Sequence, residues 1–497
     1  MNALAEGALG AAALVAWRLS SRPGVPGAAP HRGGGPAPAP RRGPRPGRQV
    51  PEPARWATRR SARPLVLRAP APGRVTLGTL ERRLVAAEAG HSVLVVGPTQ
   101  SRKTSGLAVP ALLEWQGPVV AASVKFDLVR HSLAWRRRGG PVWVYDPTGS
   151  TDLPGASWSP LAAARTWESA RRTAASLTEV ARAQGSGLSD GDFWYATAAK
   201  LLAPLLLAAA RSGRTMADVV RWVDTQEVDE VLDVLAGADE RAALQAAAAS
   251  WARDDRQRSA VYTTAETVVE AYADPAVGAA AAGAGGDAVD AERLLDEAGT
   301  LYVCAPAHDQ RRLRPVFATL VADVIDAAYR RVARQGAPLD PPLLVVLDEA
   351  ANVAPVAELD VLASTAAGHG VQLVTVWQDL AQLQARYGGR AGSVVNNHRA
   401  KVFLSGIADT VTLEHASTLI GEGEQRSWAT TLDGSGTVSH TGSPILRRLA
   451  PADALRRIPP GHAVVVSGHL PPVRVRLRPW QDHRDLRARA RVGTLGP

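Results

Sequence analysis

Lys103-Thr104 stands at the end of the run Gly97-Pro98-Thr99-Gln100-Ser101-Arg102 and is followed by Ser105. An apolar stretch, 92–96, leads into this run, and a second, 107–113, leads away with helical spacing. A buried strand, a tight loop and a helix in that order can wrap a pyrophosphate with successive backbone N–H groups and a helix N-terminus. Lys103 would neutralise the β- and γ-phosphates, and the Thr104 hydroxyl would ligate Mg2+. The whole of 97–105 is therefore the candidate nucleotide-binding loop.

Two further constellations could complete such a site. The apolar run 342–347 ends in Asp348-Glu349, and carboxylates at the carboxyl end of a parallel strand face the crevice where ligands bind. Asp348 would hold the metal through water, and Glu349 would polarise the attacking water as general base. Read alone, an Asp-Glu pair in this position serves equally as a helix N-cap. A third apolar run, 371–377, ends in Gln378, which either senses the terminal phosphate or starts a helix over 379–387.

One position disagrees with this chemistry. Arg102 stands where the pattern G-x-x-x-x-G-K-[ST] has its second glycine. A non-glycine residue held left-handed there costs about 1–2 kcal/mol. Arg102 either bears that strain or touches an anion itself. Nucleotide binding is expected on both readings, and turnover is the step Arg102 puts in question.

These residues need a sheet beneath them. Near-continuous apolar runs at 92–96, 119–123, 142–145, 301–304, 343–347, 373–377 and 401–405 read as strands buried on both faces. They alternate with Ala-rich helical stretches, the mark of a parallel sheet covered by helices. A late pair, 463–467 and 473–477, returns the chain to the sheet or its edge. From 161 to 298 the pattern shows only long Ala/Leu helices, such as 193–210 and 216–235. Lys103 and Asp348 lie 245 residues apart, and this helical insertion accounts for the excess over a bare nucleotide-binding core.

The chain has 497 residues, of which 46% are hydrophobic and 21% charged, so it is globular and long enough for several domains. Its one cysteine, Cys304, excludes an intrachain disulfide and suits a reducing compartment. The net charge of +10 is local: eleven arginines against Glu52 between Arg18 and Arg63 supply all of it. The folded core is thus nearly neutral, and the basic block is what the positive-inside rule places at a cytoplasmic membrane face. It follows the apolar segment 7–17, shorter than the roughly 18 residues of a full span. Residues 1–19 are a short membrane anchor, a half-anchor or an Ala-rich disordered start, and 20–53 are a Pro/Gly/Arg linker.

Taken together, the chain resembles the type IV secretion coupling proteins, the TraG/TraD class of conjugative DNA-transfer ATPases. The likeness rests on Ala54-Arg-Trp-Ala-Thr, the phosphate loop and Ser123-Val-Lys125-Phe-Asp127. It continues through Val144-Tyr-Asp146-Pro147, Trp158-Ser-Pro-Leu161, Asp348-Glu349, Trp377-Gln378-Asp-Leu-Ala-Gln-Leu, Val395-Asn-Asn397-His-Arg-Ala-Lys401 and Leu470-Pro-Pro-Val473. The resemblance implies an α/β fold with a RecA-like P-loop core of mainly parallel sheet, over 54–160 and 299–480. It implies an all-α domain inserted at 161–298, and leaves 481–497 as a basic tail. ATP and Mg2+ would bind between the subunits of a homohexamer at the cell membrane. The cargo would be single-stranded DNA with its relaxase-type protein, delivered to secretion channel proteins. The chain lacks the arginine some members carry before the third strand, in Ala366-Ala-Gly-His369-Gly, which leaves Arg399 as a candidate arginine finger or a surface ion-pair residue.

Two other functions stay open on the same core. One is a nucleotide-binding docking adaptor that does not hydrolyse. The other is a duplex-DNA translocase, although no DNA-reading domain follows residue 480.

Overall fold

The computed structural model describes residues 53–492 except 183–190, 284–286, 307, 353–355, 357 and 433–437. The anchor and linker expected over 1–52 lie outside the described residues. The described residues hold fourteen strands: β1 (Val66–Leu67), β2 (Thr76–Leu80), β3 (Arg83–Ala86), β4 (Val93–Val96), β5 (Val119–Ser123), β6 (Val142–Tyr145), β7 (Thr300–Cys304), β8 (Leu343–Asp348), β9 (Val371–Trp377), β10 (Ala400–Leu404), β11 (Glu422–Leu432), β12 (Val438–Arg448), β13 (His462–Ser467) and β14 (Val473–Arg476).

Twelve of them form one sheet in the order β1-β3-β2-β14-β13-β10-β4-β9-β8-β5-β7-β6. From β10 to β6 every neighbouring pair is parallel. The rest of the sheet, from β13 to β1, is antiparallel. The fold is therefore α/β with a mainly parallel core. The apolar runs read from the sequence coincide with these core strands because both sheet faces are covered. Leu94 and Val96 enter one hydrophobic cluster and Val93 and Val95 the other, as the two-residue period of a strand requires.

Between β6 and β7 the described chain is helical apart from one isolated bridge, Ser157 to Ala288. Its central helix, Gly191–Ser212, is long and apolar enough to cross a membrane, yet 67% of its most apolar window is buried. Its Leu201, Leu202, Leu205, Leu206 and Leu207 belong to the same cluster as Leu94 and Val96. This apolarity is core packing.

Several expectations need correction. The helix expected over 216–235 is two, Met216–Asp224 and Asp229–Gly237. Gln226 breaks it by turning left-handed at φ 53°, and the Glu227 N–H then closes on the Trp222 carbonyl. The pair β13 and β14, by contrast, returns the chain to the sheet as expected and lies inside it. Strands β1 to β3 were not legible, because β2 and β3 join through Glu81-Arg82, both at positive φ without a glycine or asparagine to announce the turn. The separate hairpin of β11 and β12 carries a mostly polar sequence with no alternation. Residues Arg484–Ala490, read as tail, form a helix whose Leu486 is fully buried.

Candidate functional site

Strand β4 ends at Val96, and the loop that follows rises at the carboxyl edge of the sheet. The Gly97 N–H donates to the Trp377 carbonyl at 3.1 Å, which ties the loop to the end of β9. A Cβ on Gly97 would lie 2.7 Å from Leu404 Cβ and 2.8 Å from Ser101 Oγ, so only glycine fits. Ser101 Oγ donates to the Pro98 carbonyl at 2.7 Å and cross-braces the bend through Thr99 and Gln100. Gln100 and Arg102 are both left-handed, at φ 67°. The tight nest thus exists with arginine in the glycine position. The Arg102 guanidinium does not turn inward; its Nη1 lies 3.4 Å from Asp482 Oδ2.

Lys103 begins the helical winding and is buried. Its ammonium donates to the carbonyls of Gly97 at 2.6 Å and Pro98 at 3.0 Å, so it spans the loop it belongs to. Burial lowers its pKa, opposed by the nearby carboxylates of Asp348 and Glu349. The helix expected over 107–113 opens as a wider π-type turn, Thr104–Ala108, before Val109–Glu114 continues it. Such turns recur at functional sites. Ser105 belongs to this turn.

Asp348 is the last residue of β8 and is buried. Its Oδ2 accepts the Thr104 hydroxyl at 2.9 Å and the Ser123 hydroxyl at 3.2 Å. Its Oδ1 is buried with no hydrogen-bond partner. Burial pushes the carboxyl up to about 6, against the hydrogen bond from Thr104. A hydroxyl, a carboxylate and an unpartnered buried oxygen are the hard donors Mg2+ takes, so these residues fit that ion. Among the described residues Asp348 caps no helix, the next one being Leu359–Thr365.

Glu349 turns off the strand with φ 62°. The Asn352 side-chain amide donates to its Oε2 at 3.4 Å, and the Asn352 N–H donates to its carbonyl at 2.8 Å. Gln378 follows Trp377, which pairs in register with Val96. Asp379, not Gln378, caps the next helix, Leu380–Tyr387, by accepting the Gln382 N–H at 2.7 Å. The phosphate-loop residues, Asp348, Glu349 and Gln378 therefore converge on one edge of the sheet. Arg399 does not: it precedes β10 at the opposite edge.

In the sequence Ser123 is only the first residue of the motif Ser123-Val-Lys125-Phe-Asp127, and its hold on Asp348 emerges from the pairing of β5 with β8, where the two residues are register partners. Its signal was a hydroxyl at the end of a buried apolar run.

Residues 66–494 match the family described as Type IV secretory system Conjugative DNA transfer. The chain is 25% identical over 400 residues to an Escherichia coli conjugal transfer protein TraG, covering 74% of this chain and 61% of that one. It spans about three-fifths of the length of such relatives. In solved structures, the unbound bacterial conjugative coupling protein TrwB aligns with TM-score 0.64 and 20% identity, over 86% of this chain and 92% of that one. TrwB in complex with ADP and Mg2+ aligns with TM-score 0.60 and 20% identity, over 78% and 85%.

Proposed function

The chain belongs to the type IV secretory system conjugative DNA transfer family, and on that premise we propose that it is an ATP-driven coupling protein. In this reading it works as a homohexamer at the cytoplasmic face of the cell membrane and feeds single-stranded DNA with its attached relaxase-type protein to the secretion channel. The core comprises 54–160 and 299–480, and the helical insert 161–298 is the part that meets cargo. Residues 1–19 anchor the chain.

One observation carries the nucleotide part. Thr104, Ser123 and Asp348 share one buried carboxylate whose Oδ1 is unpartnered, beside the Lys103 ammonium. The solved complexes of TrwB with an ATP analogue and with ADP and Mg2+ support this reading. Lys103 would exchange its two carbonyl partners for phosphate oxygens. Thr104 and Asp348 would hold the magnesium ion, which when bound supplies charge neutralisation between the phosphates. Glu349, oriented by Asn352, would accept a proton from the attacking water. Gln378, next to Gly97 at the end of β9, would register loss of the terminal phosphate and pass it to the sheet.

An ATPase assay with and without DNA tests the reading. Turnover stimulated by single strands is expected. Nucleotide binding without turnover would favour the docking adaptor, and stimulation by duplex alone would favour a duplex translocase.

A further inference from the structure

The first turn after the phosphate loop leaves one carbonyl without a helical partner. The Val109 N–H bonds the Thr104 carbonyl, five residues back, instead of the Ser105 carbonyl four back. The next donor that could serve Ser105 would be residue 110, which is proline and has no N–H. The partner comes from 375 residues away in sequence: the Trp480 N–H donates to the Ser105 carbonyl at 3.0 Å. A backbone carbonyl that the helix cannot serve needs another donor, so this bond completes the turn that carries Thr104.

The same C-terminal segment grips the loop and its helix at further points. Asp482 meets Arg102, the left-handed residue of the nest. Leu477 Cβ lies 3.4 Å from the Cβ position of Gly106, in the turn itself. Beyond that helix, the Trp480 ring packs on His131 of the following helix, Asp127–Arg136, with centroids 4.3 Å apart. Arg478 makes a buried ion pair with Glu114 at 2.6 Å, and Arg489 donates to the Leu113 carbonyl at 2.7 Å, at the far end of the helix. The segment therefore lies along the whole loop-bearing helix.

We propose that the segment 477–490 is a positioning element of the nucleotide site, joined to the phosphate loop through Trp480 on Ser105 and Asp482 on Arg102. Arg102 in this view is a strut. Its backbone completes the nest and its side chain links the nest to the segment, so nucleotide binding and the order of the segment are coupled, each raising the other. This rests on the nucleotide reading of the loop.

The test uses the full chain with ADP and Mg2+ as probe. Asp482→Ala should weaken ADP binding about two- to five-fold in a calorimetric titration, the range of a half-exposed pair. Arg102→Ala should weaken it similarly, and the double variant should be no weaker than either single one. In the unaltered chain, ADP should slow amide hydrogen exchange over 477–490. Additive losses, or unchanged affinity in Asp482→Ala together with exchange that ADP does not alter, would overturn the proposal. Failure of the unaltered chain to bind ADP would instead remove the nucleotide reading and this inference with it. Binding that is lost in Lys103→Ala but unmoved in Asp482→Ala, with no exchange response, would remove this inference alone.

Discussion

The Thr104 hydroxyl donates to Asp348 Oδ2 at 2.9 Å across a sequence separation of 244 residues. That contact joins the helix after the phosphate loop to the end of β8, and the helical insert lies in the chain between them. Whatever binds here meets both at once.

Lys103→Ala should abolish nucleotide binding. The ammonium is the loop's own buried cation, and alanine also removes its bond to the Gly97 carbonyl, whereas the Pro98 carbonyl keeps Ser101 as donor. A calorimetric titration checks it, and undiminished affinity sinks the assignment of the loop.

Glu349→Gln should bind nucleotide and lose turnover, because an amide cannot accept the proton of the attacking water. Loss of about two or more orders of magnitude in rate is expected for a general base. If steady-state hydrolysis survives the change, the base is another residue.

Asp348→Asn separates stability from function. The folded carboxyl is raised to about 6 from 3.8, so between about pH 4 and 6 the native state holds more protons than the unfolded one. Stability therefore falls as pH rises through that window, and the cost is fully present above it. Removing the charge should stabilise the protein by about 1–3 kcal/mol at pH 8, with little effect at pH 4, while Mg2+-dependent nucleotide binding is lost. Thermal unfolding at the two pH values checks this; an asparagine variant less stable than its parent at pH 8 contradicts it.

Arg102→Gly should be more stable than Arg102→Ala, the reverse of the usual order. Both remove the Asp482 pair, but only glycine relieves the left-handed backbone, about 1–2 kcal/mol against roughly 0.5–1 kcal/mol of extra chain entropy. Urea unfolding of the two variants decides it, and an alanine variant as stable as glycine means the position is unstrained.

The full chain should sediment with membranes, and a chain beginning at Pro53 should remain in the supernatant, because the apolar segment 7–17 and most of the basic block precede that residue. Equal partitioning of the two refutes the anchor.

How much of this was legible follows from what each signal depends on. The core strands β4 to β10 were readable because burial on both faces demands uninterrupted apolar runs such as Val93–Val96 and Leu343–Asp348. The loop, Asp348-Glu349 and Gln378 were readable because each ends such a run, and the ends of parallel strands share one edge. Strands β11 and β12 were not, since a hairpin with exposed faces imposes no apolar period.

By itself the sequence determined the residue types, their order and the strand each one terminates, which is enough to name Lys103, Thr104, Asp348 and Glu349 as one group. Only the tertiary structure decided what those residues touch. Ser123 shares Asp348 because β5 lies beside β8, an adjacency that strand order sets and spacing along the chain does not reveal. Arg102 faces Asp482, and Trp480 serves Ser105, because a segment that reads as a basic end folds back over the loop. Local pattern reports which face of an element is buried. It cannot report which distant backbone donor answers a carbonyl left open by a proline, since that pairing exists only once folding has brought Ser105 and Trp480 together.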